Sequence, residues 1–156
     1  MTDDATFEDG SERPLYLGAM DVEDLQVIAS LTQDSVFPIT EMTWQATDRR
    51  FALLLNRFRW EDHGRARHAP ERVQSVLVID NVLRVASQGI DRTDSDTVLS
   101  LLALSFEPTG DGTGHLLLTL AGDGAIRLEI EALDVTLKDV TRPYRAASGK
   151  VPHHDI

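Results

Sequence analysis

Arg57-Phe58-Arg59-Trp60 interleaves two guanidinium groups with two large aromatic rings, the residue types that grip a phosphate backbone and stack on bases. Strand geometry works against that use. Successive side chains of an extended chain point to opposite faces, so the two arginines share one face and the two rings the other. A structural reading puts Phe58 and Trp60 in the core and pairs Arg57 and Arg59 with Glu129, Glu131 or the acidic N-terminal segment. A functional reading makes the arginines a surface for a protein or an anionic ligand, which the planar guanidinium fork suits. The pair belongs to a wider excess. Seven of the fifteen Lys and Arg residues lie between Arg49 and Arg72, opposed there only by Glu61, Asp62 and Glu71, in a chain of net charge -11. Arg57, Arg59, Arg65 and Arg67 are therefore the candidate binding residues, and segment 49–72 is the candidate contact for a protein partner.

Other residues capable of chemistry do not assemble into a centre. His63 and His68 share a loop with Glu61, Asp62 and Glu71, but the ligand spacings of a zinc site are missing. A mixed-charge loop accounts for them. His153-His154 could chelate a metal, although a frayed terminus explains the pair equally simply. Asp91-Arg-Thr-Asp94-Ser-Asp96 lacks the glycine and the bidentate glutamate of a calcium loop. Gly110-Asp-Gly112-Thr-Gly114 precedes a strand instead of a helix, so it reads as a hairpin loop and not as a phosphate cradle. No serine has the setting of a nucleophile elbow. With no cysteine there is no disulfide, thiolate or cysteine-ligated metal. No catalytic residue, cofactor or metal is predicted, and the chain reads as more suited to binding than to catalysis.

The elements that must position these residues follow from apolar periodicity. At 156 residues, 42% of them hydrophobic, the chain suits one domain over residues 14–144. Residues 1–13 read as a disordered acidic leader and 145–156 as a flexible tail. No apolar run is long enough to span a bilayer and no secretory signal is present, so a cytoplasmic protein is expected. The acidic balance argues against nucleic acid, whose phosphates it would repel. Asp21 is placed to cap a helix over 22–34 with Val22, Leu25, Ile28, Ala29 and Leu31 as its buried stripe. Beyond Phe37-Pro38 the period shortens to that of strands.

Leu15–Leu17, Met42–Ala46, Phe51–Trp60, Val73–Ile79, Val82–Ser87, residues 101–107, His115–Ala121, Ala125–Glu131 and a segment through Leu133, Val135 and Leu137 are the predicted strands. Strand 51–60 is apolar on both faces at its start, so it is expected to be central and covered twice. Tight hairpin turns are expected at Asp80-Asn81 and Asp123-Gly124. One helical turn, capped by Asp94 or Asp96, precedes strand 101–107. The two turns lie at equivalent places in two sets of three strands, which suggests a duplicated three-strand unit. The fold class is α+β: mostly antiparallel strands, as a sandwich or partly closed barrel, with one main helix near the N-terminus. An exposed strand edge would permit a homodimer.

Arg50-Phe-Ala-Leu-Leu-Leu-Asn-Arg-Phe-Arg-Trp60, Gly89-Ile-Asp-Arg92 and Leu133-Asp-Val135 with Asp139 and Pro143-Tyr144 resemble a family of short bacterial proteins. That family is known as a domain of unknown function, the one numbered 2948. The resemblance spans Leu15 to Tyr144. It implies a complete, free-standing bacterial protein and supplies no activity, cofactor or catalytic residue. Two functions are then expected in order. The first is a non-catalytic interaction or regulatory module using the Arg-rich surface. The second is a small anionic-ligand binder or hydrolase with a pocket between sheet and helix, where Arg57 or Arg59 clamps the anion.

Overall fold

In a computed structural model the described residues are 14–59 and 71–141, with the backbone alone of 144–145. The expectations for the leader, for Trp60 and loop residues 61–70, and for the tail beyond Arg145 lie outside them. The first strand, β1 (Tyr16–Ala19), leads into helix α1 (Val22–Thr32). Asp21 caps it as expected, its carboxylate accepting the Asp24 N–H at 2.8 Å and satisfying a donor that the helix itself leaves unpaired. Leu25 and Ile28 are buried, while Val22 is 45% exposed. The helix stops before Pro38 can act. The Thr32 hydroxyl turns back onto the Ile28 carbonyl at 2.9 Å, and Asp34 takes a left-handed φ of 64°. Its N–H then bonds the Leu101 carbonyl at 2.8 Å.

The remaining strands are β2 (Val36–Pro38), β3 (Met42–Gln45), β4 (Arg50–Phe58), β5 (Glu71–Ile79), β6 (Val82–Gln88) and β7 (Val98–Pro108), followed by β8 (Gly114–Leu120), β9 (Ala125–Ile130), β10 (Val135–Asp139) and β11 (Tyr144–Arg145). All pair antiparallel along the order β1-β10-β5-β4-β2-β7-β8-β9-β6. β3 shares with β2 one edge of β4, and β11 shares with β10 one edge of β5. The predicted class therefore holds: mostly antiparallel sheet, one main helix near the N-terminus, and a sheet that curls without closing. Alternate residues face inward and make one core, including Leu53 and Leu55 of β4, Leu77 of β5, Leu118 of β8 and Leu128 of β9. Helix α1 adds Leu25 and Ile28 to it.

Four local expectations change. β5 and β6 share no ladder; the chain crosses at Asp80-Asn81 from one half of the sheet to the other, where β6 pairs with β9. Asn81 is left-handed (φ 61°), and its carbonyl accepts the Glu131 N–H at 2.9 Å. A left-handed Asn supports a sharp turn of either kind, and the residues of the turn do not encode which strand comes next. The duplicated three-strand unit therefore exists in spacing but not in pairing. The left-handed pair of the β8–β9 turn is Gly122-Asp123, one residue earlier than read from Asp123-Gly124. No helical turn precedes β7, because Asp91 and Asp94 bond the backbone N–H groups of Thr93 and Asp96 at 2.9 and 3.0 Å and form turns instead. Finally, the outward residues of β4, Ala52 and Leu54, are half-buried, so the strand is central but fully covered on one face only.

Two further features fix the curl. The Gly110–Gly114 segment is the hairpin loop expected, closed by the Thr109 N–H on the Thr113 carbonyl at 2.9 Å. A Cβ at Gly114 would stand 2.5 Å from the Phe106 ring and closer still to the Glu107 carbonyl oxygen, so no side chain fits there. At the far side, among the described strands, no ladder joins β6 to β3. The Val82 N–H reaches the Arg49 carbonyl at 2.9 Å and ties the seam at one end only.

Candidate functional site

The arginines singled out by sequence divide between the core and its margin. Arg57 continues the inward row Phe51, Leu53, Leu55 and is fully buried. Its guanidinium meets the Asp139 carboxylate through Nη2 at 3.0 and 3.1 Å, and its Nε bonds Ser75 Oγ at 3.0 Å. Ser75 in turn donates to Asp139 Oδ1 at 2.6 Å, and the Leu15 N–H donates to Oδ2 at 2.9 Å. β4, β5, β10 and the start of β1 are thus pinned by one charged network. Its two-point geometry and shared hydrogen bonds are what offset the large cost of removing two ions from water. Arg59 is also buried, its Nη1 on Glu71 Oε1 at 2.7 Å.

Neither described partner is Glu129 or Glu131, and the expected pairing with the N-terminal segment lies outside the described residues. Asp139 and Glu71 pair with Arg57 and Arg59, whereas Glu131 pairs with Arg49 at 3.3 Å. Arg50 bonds Asp80 at 2.9 Å, which raises the guanidinium above its ordinary value. The four described arginines of the cluster from 49 to 59 therefore direct charge onto the protein's own carboxylates. Arg65 and Arg67 lie outside the described residues. So do His63 and His68, and among the described residues no three His, Cys, Asp or Glu side chains converge as a metal site would need.

Among the described residues a hollow lies at the open seam between β3 and β6. A cavity of about 380 Å³ is walled by Met42 and Trp44 of β3, Phe51 of β4, Val85 of β6 and Ile39 of the turn before β3. Thr40, Arg92 and Ser95 complete it. Register explains the assembly. Trp44 stands opposite Phe51 on the same face, and Met42 opposite Leu53, so both β3 side chains project inward over a core that no described strand covers on that side. Trp44 is 37% exposed at this edge. The Ile39 N–H holds the Thr97 carbonyl at 2.9 Å and fixes the 91–97 loop across the opening.

Within that loop Arg92 Nη2 donates to Ser87 Oγ at 3.2 Å. The neighbouring Asp91 carboxyl is held below the usual aspartate range, first by the Thr93 hydroxyl and then by its N–H. A folded value below the unfolded one favours this turn above the ordinary aspartate range. The preference fades as pH falls through the lowered value. At neutral pH the loop presents Arg92 beside the cavity.

A family model described as "Protein of unknown function (DUF2948)" matches residues 15–154. The chain belongs to that family. The match agrees with the resemblance carried by the Arg50–Trp60, Gly89–Arg92 and Leu133–Tyr144 segments and extends beyond Tyr144 into the tail. Comparison with curated proteins and with solved structures finds no match. Membership in DUF2948 thus names the chain's relatives without assigning a role to any residue. Among the described residues no helix is long and apolar enough to cross a membrane. The residues missed by site reasoning in this DUF2948 member are Ser75 as a partner of Arg57, and Trp44 with Val85 as cavity walls. Ser75 had a signal: it falls in phase with the apolar row Val73, Leu77 and Ile79, where a polar side chain must find a buried partner.

Proposed function

We propose that this protein is a binding module that takes a small organic molecule into the cleft between β3, β4 and β6. One observation supports the reading above the others. A cavity of about 380 Å³, apolar and aromatic on most sides with a few polar groups, lies where the sheet fails to close. Those are the size and composition of small-molecule sites. Titrating isotope-labelled protein with phenylacetate, benzyl alcohol and benzylamine tests it by NMR. Amide shifts are expected to cluster at Met42, Trp44, Val85 and Ser95. Shifts centred on the shallower hollow around Leu117 and Arg127, or none at all, would overturn the proposal.

A second reading retains the Arg-rich segment as the contact for an acidic protein partner. The segment's concentration of positive charge on an acidic chain supports it. Since Arg57 and Arg59 are engaged internally, the reading rests on Arg65 and Arg67. Co-purification at native expression level is the check: a stoichiometric partner lost in the Arg65→Glu/Arg67→Glu double variant is the expected result, and equal capture by both proteins refutes it.

A further inference from the structure

The cleft wall is chemically uneven in a way that specifies the class of ligand. Ile39, Met42, Trp44, Phe51 and Val85 offer only apolar and aromatic surface. Among the described residues the single formally charged side chain on the wall is Arg92, accompanied by the hydroxyls of Thr40 and Ser95. Arg92 is tethered to Ser87 Oγ by one nitrogen, a bond that orients the guanidinium while its remaining donors stay available to a second acceptor. A guanidinium with hydroxyls nearby is suited to receive a planar two-oxygen acid. Number of charges matters as well. The chain as a whole carries -11, so each additional negative charge on a ligand meets more long-range repulsion, and among the described residues the wall holds one cation to answer it.

Resting on the cleft reading above, we infer that the ligand is an amphipathic monoanion: a carboxylate with an apolar, ring-bearing or branched body. The acid sits at Arg92 and the body lies against Trp44 and Phe51. Multiply charged nucleotides and sugar phosphates are excluded by the same features, since their polar bodies would face an apolar wall and their phosphates a single cation.

Two fluorescent probes with the same ring framework separate this inference from the reading beneath it. Anilinonaphthalene sulfonate carries one anionic group in place of the carboxylate, and phenylnaphthylamine carries none. The sulfonate is expected to bind roughly tenfold tighter than the neutral probe, the scale of a charge-assisted hydrogen-bonded pair. Arg92→Gln should remove that preference and leave the neutral probe's affinity unchanged. Val85→Trp, which fills the cleft, should abolish binding of both, with urea midpoints confirming that each variant stays folded. Phenylbutyrate should displace the sulfonate, and inorganic phosphate at the same concentration should not. Equal affinities for the two probes, or a preference that survives Arg92→Gln, would overturn the monoanion while leaving the cleft intact. If Val85→Trp alters neither probe, the cleft reading falls and the inference with it.

Discussion

Asp139→Ala is expected to cost about 3–5 kcal/mol of stability, because it removes the carboxylate that meets the buried Arg57 guanidinium at two points. The two side chains are 0% and 3% exposed, so solvent does little to relieve the loss. The sharper expectation concerns the pair. Replacing both at once, as Arg57→Met with Asp139→Leu, removes the desolvation cost together with the attraction, and should recover most of what the single variant loses. Urea unfolding of both singles and the double closes the cycle. A double variant no more stable than Asp139→Ala would show that Ser75 and the Leu15 N–H, left without their acceptor, carry most of the penalty. A loss under about 1 kcal/mol for the single variant would mean that Arg57 is held in the core by contacts other than Asp139.

Phe37→Ala should be comparably damaging, at about 3–5 kcal/mol. Phe37 is fully buried, and its strand is only three residues long. Yet β2 is the link through which the half of the sheet built on β4 and β5 meets the half built on β7, β8 and β9. Val36 pairs with Asn56 on one side and Ser100 on the other. The expected result is a single unfolding transition, shifted down, with circular dichroism and tryptophan fluorescence coincident. A single transition that is not shifted would show that the halves hold together by other contacts and that β2 is not their joint.

Much of this architecture is legible along the chain because strands and caps are local. Asp21 announces the helix, and the alternation Ile126, Leu128, Ile130 announces both a strand and its inward face. Pairing is another matter. Nothing in Asp80-Asn81 distinguishes a hairpin from a corner, since the decision lies with distant strands: β4 and β10 take both edges of β5, and β6 pairs with β9. The arginines illustrate the same limit. Their burial is readable from Arg57 following Leu55 in phase, and Asp139 follows Val135 and Leu137 in the same manner. That these two rows meet, with Ser75 between them, depends on the order β10-β5-β4, which no local pattern states. The cleft was least legible, because it is defined by a ladder that does not form, and its walls come from five separate segments.

The Arg57–Asp139 pair also imposes a timetable on synthesis. Asp139 lies 82 residues beyond Arg57 and 64 beyond Ser75. At about 5–20 residues per second, the ribosome supplies the counter-ion roughly 4–16 s after the cation. Until then Arg57 lacks the carboxylate that meets it at two points in the core, and the β5 edge that will receive β10 stands open. Completion of this network, and of the β10–β5 ladder beside it, is therefore tied to the arrival of a carboxylate 82 residues downstream of its cation.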